Sequence, residues 1–331
     1  MFKHYLGKGV QYFMLILCGL IMVTPFIWML STSLKSQTAI NKGSVGFIPI
    51  EFVNYYVHDG KKELCEIVME KEDEGITVVN IYDEDGKTFR QSYVEAPSES
   101  ITSSKRIKFN WNNYVEAFTR VPFGRYFLNT VFVSFCVLIG VLITSSLAAY
   151  AFARMQFKGR DFIFYLFISM MMVPQPIYLI PSYFLLTKLG WINTYQALIV
   201  PWIANIFSIF LLRQQFKTIP QDLFDAAVID GCSQFEILWR IVIPVSKPIL
   251  VTTAIFSLIG SWNSFMWPLV MTSSDHLRVL QVGLSYFAQE ASSSTALLMS
   301  ASTFSIAPLL ILFLFAQKQI ISSFVTSGLK G

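Results

Sequence analysis

Six charged side chains crowd into residues 222–248, DLFDAAVIDGCSQFEILWRIVIPVSKP: Asp222, Asp225, Asp230, Glu236, Arg240 and Lys247. The chemistry such a set offers is ionic docking against another charged surface, not bond making. No motif for bond making accompanies it. The chain has no G-x-x-x-x-G-K-[ST] loop to cradle ATP phosphates, no G-x-S-x-G elbow, no H-E-x-x-H and no paired-cysteine metal spacing. His276 has no second His or Cys near it in sequence, so it makes neither a ligand set nor a catalytic pair. No catalytic or metal residue is therefore expected.

The stretch reads as helix, break, helix. Pro220 suits a first helical turn, Asp222 lies near the positive helix end, and Ala226 and Ala227 let another surface approach closely. Gly231 interrupts the run. Phe235, Leu238, Trp239 and Val242 then return at helical spacing, predicting one amphipathic face that Pro244 and Pro248 end. An ordinary amphipathic linker between two membrane helices has the same spacing.

The elements around this segment belong to a membrane protein. Of the 331 residues, 54% are hydrophobic and 14% charged, with mean hydropathy +0.53, against about a quarter charged in soluble domains. No Asp, Glu, Lys or Arg falls between Lys8 and Lys35, Arg125 and Arg154, Asp161 and Lys188, Lys188 and Arg213, Lys247 and Asp275, or Glu290 and Lys318. Each gap exceeds the roughly 20 residues a crossing helix needs, which predicts six spans. The termini and the connections on their side hold Lys3, Lys8, Arg154, Lys158, Arg160, Arg213, Lys217, Arg240, Lys247, Lys318 and Lys330. The short connections opposite hold Lys188 and Arg278. The positive-inside rule then places both termini and the Asp225 segment in the cytoplasm. The net charge of +4 follows from this topology and not from nucleic-acid binding. Of Cys18, Cys65, Cys136 and Cys232 only Cys65 falls outside the membrane and cytoplasm, so no intrachain disulfide is expected. The first 35 residues begin basic and turn apolar, but the uncharged run is too long for a signal peptide and reads as an uncleaved first span.

Asp225-Ala226-Ala227, Asp230-Gly231, Phe235, Ile241, Ile243-Pro244 and Pro248 resemble the EAA loop of binding-protein-dependent ABC importer permeases, with Asp225 for the usual Glu and Cys232 for the usual Ala or Ser. The resemblance covers about residues 10–49 and 108–331 and points to the maltose-type carbohydrate group. FNWNNYVEAF (109–118), MMVPQPIYLIP (171–181) and the Trp262-Asn263 pair resemble that group as well. The tail ISSFVTSGLKG matches only in part, since Ser322 or Ser323 stands where the family has Gly. The resemblance implies an all-α polytopic fold of six transmembrane helices in a bacterial or archaeal cell membrane. It further implies a second permease in a heterodimer, two ATPase subunits holding ATP and Mg, an extracytoplasmic solute-binding protein, and no cofactor in this chain. Asp225, Ala226, Ala227, Asp230, Gly231, Phe235, Arg240 and Pro244 would couple to the ATPase. The rival reading is an ion-coupled secondary transporter, which calls for ionisable groups at mid-membrane that the six uncharged runs lack.

In domain terms, 1–35 is expected to hold the N-terminus and first span, 36–108 an extracytoplasmic insert, and 109–331 the permease core, with the coupling loop at 219–248 and the cytoplasmic tail at 318–331. Residues 51–99 hold 13 of the chain's 21 acids, so the insert must be solvated. Its apolar alternation predicts a four-stranded meander over 52–57, 64–69, 76–82 and 88–94, with turns at 58–61, 71–75 and 83–86 and a linker at 98–104. A loosely ordered acidic loop is the alternative. Asp83, Asp85 and Gly86 begin like a calcium loop but lack its later ligands. Pro174, Pro176 and Pro181 predict a break in the third span. Pro174, Pro176, Trp262 and Asn263 are candidates for the translocation path, although Trp262 and Asn263 serve helix packing equally well. The connection 272–297, with Asp275, His276 and Arg278, resembles the loop that reaches the binding protein in sugar importers; a solvated connector is the simpler account.

Overall fold

The computed structural model describes residues 2–44, 46–58, 61–71, 76–82, 88–290 and 294–328. The expected turns at 58–61, 71–75 and 83–86, the calcium-like Asp83, Asp85 and Gly86, and the end of the tail at 329–331 lie wholly or partly outside these residues. The chain forms two compact units, Met1–Arg120 with Ala288–Thr303, and Val121–Phe287 with Phe304–Gly331.

The first unit contains α1 (Phe2–Ser33), α2 (Gln37–Asn41), β1 (Ile50–His58), β2 (Lys61–Lys71), β3 (Ile76–Tyr82), β4 (Phe89–Pro97), β5 (Ile101–Ile107) and α3 (Asn112–Arg120). All strand pairs are antiparallel, in the order β4-β3-β2-β1-β5. The edge strands β4 and β5 are separated only by Ser98–Ser100. Four peptide links reach about 14 Å at most, so the sheet must curl until its edges converge at that corner. Curling explains how one sheet buries Cys65, Val79, Ile81 and Ala96 against Tyr56, Ile67, Val94 and Ile101. The fifth strand is a correction to the expected linker at 98–104. Its sequence ITSSKRI is exposed after Ile101 and carries no apolar alternation; it is recruited by its backbone ladder to β1, from Tyr56 opposite Ile101 to Ile50 opposite Ile107.

Burial pushes the Cys65 thiol above its ordinary pKa, against a smaller opposing effect of its hydrogen bond with the Tyr56 backbone. With the side chain 4% exposed, alkylation of Cys65 by iodoacetamide at neutral pH is expected to be slow in the folded chain and to accelerate on denaturation. Mass spectrometry of the insert peptide before and after urea checks this. Rapid native labelling would mean the sheet is not closed. The end of α1 is pinned by Asn113, whose Nδ2 donates to Ser33 O (2.7 Å) and Lys35 O (2.8 Å). Lys35, 1% exposed, donates to Ser44 O and Gly46 O, so this buried ammonium is met by carbonyl dipoles.

The second unit begins with α4 (Phe123–Arg154), α5 (Arg160–Met170), α6 (Gln175–Lys188), α7 (Tyr195–Ile199), α8 (Ile206–Lys217) and α9 (Gln221–Ile229). It continues through α10 (Gln234–Ile237), α11 (Ile243–Val245), α12 (Lys247–Trp262), α13 (Met266–Met271), α14 (Leu280–Glu290) and α15 (Thr295–Gly328), the last two shared with the first unit. Among the described residues, four segments are long and apolar enough to cross a membrane: Lys8–Ser33, Phe123–Arg154, Tyr195–Lys217 and Thr295–Lys318. Two bent pairs, Arg160–Met170 with Gln175–Lys188 (102°) and Gln234–Val245 with Lys247–Trp262 (85°), raise the number to six if each pair is one span.

The break in the third hydrophobic run lies at 171–174, where Pro174 caps α6 and Pro176 occupies its first turn; Pro181 stays within the helix. Proline at a helix start forfeits no hydrogen bond, so the first two define the bend and the third is accommodated. The fourth run is also broken: a 3₁₀ turn at Val200–Trp202 precedes Asn205, whose side chain accepts from Ser208 N at 2.8 Å and starts α8 afresh. The connection 272–297 contains α14 and a 3₁₀ turn at Asp275–Leu277.

Helix α4 is the spine of this unit. Val133, Val137 and Val141 recur every fourth residue and pack against Ala197, Leu198, Trp267 and Met271, while Ala149 and Tyr150 pack against Leu212 and Phe216. Its small residues serve close approach. A Cβ at Gly140 would clash with Ile203 Cγ2, and Thr144 donates to Ile203 O one turn on. Gly140→Val is expected to destabilise the chain by about 1–3 kcal/mol through overpacking, read as a lower melting temperature in detergent; an unchanged melt would mean Ile203 moves aside freely.

Candidate functional site

The 222–248 elbow is assembled from two caps placed back to back. Helix α9 ends in a Schellman arrangement: Gly231 N donates to Val228 O (3.0 Å), Cys232 N donates to Ala227 O (2.9 Å), and Gly231 has φ +77°. Two residues later Ser233 opens α10 with a capping box. Its hydroxyl accepts from Glu236 N, and Glu236 Oε2 accepts from Ser233 N at 3.0 Å. The chain thus closes one helix and starts the next within three residues, leaving few backbone groups unsatisfied.

One side of the elbow is anchored. Phe224 and Ala227 of α9, with Ile237, Leu238 and Val242, are buried against Ala149, Tyr150, Leu212, Phe216 and Ile219. The opposite side is free of protein cover in this chain. Asp225, Ala226, Asp230 and Gly231 are exposed, and around them large apolar side chains face outward: Ile229 is 85% exposed, Phe235 61% and Val228 57%. Arg240 is exposed and pairs with Glu236 at 3.4 Å. The single amphipathic face expected for the second half is corrected here. Leu238 and Val242 turn inward, while Phe235 and Trp239 pair outside with ring centroids 6.0 Å apart. A π-helical turn at Leu238–Val242 rotates the faces, and the helical path runs through exposed Pro244 before bending at Ser246. Apolar exposure rimmed by acids is the composition of a docking surface.

Arg154, read in the sequence only as a charge, ties this elbow to the helices behind it. Its guanidinium donates to Phe216 O (2.7 and 3.1 Å), to Ile219 O and to Gln221 Oε1 (3.1 Å), and lies 4.1 Å from the Phe224 ring centre. The last residue of α4, the end of α8 and the first turns of α9 therefore meet at one side chain. Arg213 makes a second clamp, donating to Phe152 O and Asp161 with its guanidinium 3.7 Å from the Phe164 ring centre. The arrangement can transmit displacement, because a push on α9 reaches α4 and α8 through hydrogen bonds and packed rings and not through a flexible loop.

The other expected site residues fall elsewhere. Trp262 is 5% exposed, stands edge-on to Phe127 and donates its N–H to Ser305 O at 3.2 Å, so the packing account fits it. Asn263 is exposed, donates to Ile259 O and accepts from Gln281 Nε2. Asn263 lines a cavity with Gln175; Pro174 and Pro176 are exposed at the α5–α6 bend and do not line it. Asp275 and Arg278 form an ion pair, and exposed His276 stands between them. This ledge is firmly held: Asn129 Nδ2 donates to His276 O and Arg278 O, and Asn193 accepts from Ser273 N and Ser274 N. Those two asparagines carry no sequence signal, since their partners lie some 80 to 150 residues away. Among the described residues no three His, Cys, Asp or Glu converge as a metal site would need.

Comparison with known proteins identifies this architecture. The chain is 35% identical over 221 residues to the arabinooligosaccharides transport system permease protein of Halalkalibacterium halodurans, spanning 66% of this chain and 79% of that one. It is 35% identical over 246 residues to the trehalose/maltose transport system permease protein of Thermococcus litoralis, spanning 72% and 88%. A solved bacterial ABC transporter involved in import of the acidic polysaccharide alginate shares the fold, with TM-score 0.68 at 20% identity over 96% of this chain and 98% of that chain. Residues 121–324 match the family model for the inner membrane component of binding-protein-dependent transport systems. That match takes in α4 to α14, most of α15 and the whole elbow, and the chain belongs to this family of membrane transport components.

Proposed function

We propose that this chain is one permease subunit of an ATP-driven importer for a sugar or oligosaccharide. The observation that carries the reading is the elbow, an exposed acidic and apolar surface mounted on a hydrogen-bonded network that reaches α4 and α8. Its occupant is an ATPase subunit. Two such subunits hold ATP and Mg, and their closure presses the segment Asp225–Gly231 and rocks the helices behind it between inward and outward arrangements. A second permease completes the path in a heterodimer, and an extracytoplasmic binding protein delivers solute at the ledge of Asp275, His276 and Arg278.

The six-crossing topology, with both termini and the elbow in the cytoplasm and the β-rich insert outside, draws its support from the distribution of Lys and Arg. The carbohydrate class draws its support from the saccharides in the names of the two relatives above. The test is transport by the chain co-expressed with its partner subunits in proteoliposomes. Saccharide uptake is expected to require the ATPase subunits, ATP and the binding protein together. Uptake that persists without the ATPase subunits and follows an ion gradient would establish the secondary-transporter reading instead.

A further inference from the structure

Three elements of the first unit meet at one carbonyl. Ser33 O, at the end of α1, accepts from Asn113 Nδ2 of α3 (2.7 Å) and from Ser300 Oγ of α15 (3.0 Å). Ala296 N of α15 donates to Gln37 Oε1 at 3.1 Å, and Asn110 N donates to Leu34 O at 2.9 Å. Both α1 and α15 hold apolar segments long enough to cross a membrane, Lys8–Ser33 and Thr295–Lys318, and one ends here where the other begins. In a chain of this family the level of Ser33 is therefore a membrane boundary, and α3 is fastened to it. We propose that α3, with the two connections that join it and α1 to the sheet, is an interfacial anchor that seats the base of the insert in the lipid headgroup layer.

The faces of α3 are the reverse of those of a helix that packs by its apolar side. Asn113 and Ala117, one turn apart, are the buried residues, and Asn113 commits its amide to Ser33 O and Lys35 O. Trp111, just ahead of the helix, and Val115, one turn on, are 66% and 60% exposed. Phe47 and Ile48 on the way into β1, and Ile107 and Phe109 on the way out of β5, are also exposed. These two connections run side by side, with Lys108 N donating to Pro49 O at 3.1 Å. Single exposed apolar residues need no explanation, but a neck that gathers six large ones does.

What covers the neck follows from its height. The 26 residues of Lys8–Ser33 make about 39 Å of helix against about 30 Å of hydrocarbon, so the ends stand a few ångström into the headgroup layer. A helix fastened at that level with apolar side chains outward lies where interfacial helices lie, with its apolar face about 5–10 Å into the headgroup and acyl boundary. The bilayer that covers the exposed apolar side chains of α1, from Val10 to Leu30, meets the neck at the end of that helix. Composition agrees with the height, since Trp and Tyr favour this layer and Trp111 packs on Tyr114 with ring centroids 6.1 Å apart. Lys108 and Arg120 flank the stripe and are already paired, with Glu51 (3.0 Å) and Glu116 (2.6 Å), so the neck presents no free charge for a protein partner to match. Their long stems let the charged heads stay in water while the apolar residues between them are covered.

Such a seat fixes the base of the sheet. Lys35 donates to Ser44 O and Gly46 O, which ties the connection ahead of β1 to the end of α1, and Asn110 and Asn113 tie the connection after β5 to the same place. A neck held in lipid on both connections keeps the acidic insert upright at one height and its carboxylates in water. Neither the elbow nor the solute enters this inference, so it stands or falls apart from the importer reading.

The test uses the full chain assembled with its co-expressed partner subunits and binding protein in vesicles of phosphatidylethanolamine and phosphatidylglycerol. Photoreactive p-benzoylphenylalanine replaces Val115, and in separate chains Trp111 or Thr102. Thr102 is the control, exposed on β5 and five residues, about 17 Å along the strand, from Ile107. After irradiation, mass spectrometry reads what each chain has captured. Positions 115 and 111 should capture phospholipid about tenfold more than position 102, the ratio that favours taking an exposed valine out of water. The new bond is expected at the glycerol or the first methylenes of the acyl chain. Capture of the partner permease or the binding protein in place of lipid would make the neck a protein interface and overturn the anchor. Capture no greater than at position 102 would put the neck in water and overturn it as well, and bonds near the acyl-chain ends would reject its height. Val115 and Trp111 are both exposed, so either position decides the matter should the other variant not assemble.

Discussion

Replacing Arg154 by alanine is expected to leave ATP hydrolysis running while uptake per ATP falls tenfold or more, equivalent to about 1.4 kcal/mol of lost coupling. Arg154 donates to two carbonyls at the end of α8 and to Gln221 at the start of α9, and lies against the Phe224 ring that roots α9 in the core. Hydrogen bonds from a charged donor contribute about 1.5–3 kcal/mol each, and their removal also leaves Phe216 O and Ile219 O without this donor. The elbow would keep its own caps, because the Schellman and capping-box bonds do not involve α4. It would press on helices to which it is no longer bound. Arg154→Lys is expected to restore coupling only in part, since a point ammonium cannot reach three acceptors in the plane of a guanidinium fork. The measurement is paired: ATP hydrolysis and solute uptake on the same proteoliposomes. Parental uptake per ATP in Arg154→Ala would place the mechanical link elsewhere, with Arg213 and its bonds to Phe152 O and Asp161 the next clamp to remove.

What the sequence disclosed about this site follows the range of the interactions. Gly231 announces a left-handed residue within a few positions of its helix, and of Asp225-Ala226-Ala227 the first two lie on the exposed side of that same helix while Ala227 packs inward. The Ser233–Glu236 capping box is just as local and is written as S-x-x-E. Arg154 is different in kind. Its acceptors lie 62 to 67 residues ahead, and nothing in RMQFKGR tells a clamp from a cytoplasmic flank. The same limit hid the cavity, whose walls come from five separated segments. It also hid Lys35, an apparent end-of-span charge that is buried on carbonyls. In the insert, β1 to β4 were legible because their apolar residues fill the curled core, whereas β5 is held by backbone pairing and carries no side-chain pattern. Periodicity reports burial, and β5 is exposed at every residue after Ile101.

Substitutions at Gly231 are expected to rank by the backbone conformation they tolerate and not by their size. The residue sits at φ +77°, and a Cβ built there meets nothing within 4 Å, so no neighbour resists a larger side chain. The cost is confined to placing an L-residue in the left-handed region, about 1–2 kcal/mol for an ordinary side chain, and less for Asn, which enters that region routinely. A loss of that size shifts the population of the native elbow roughly 5- to 30-fold. Gly231→Val, β-branched and least tolerant of positive φ, should lose most uptake, Gly231→Ala an intermediate share, and Gly231→Asn least. The comparison of Ala with Asn separates two causes that a single bulky substitution confounds. If the elbow fails because its Schellman turn unwinds, Asn outperforms Ala despite being larger. If it fails because the exposed tip no longer fits the ATPase surface, Ala outperforms Asn. Coupled uptake ranked Ala above Asn would therefore reject the backbone explanation and move the importance of Gly231 from the turn to the docked interface.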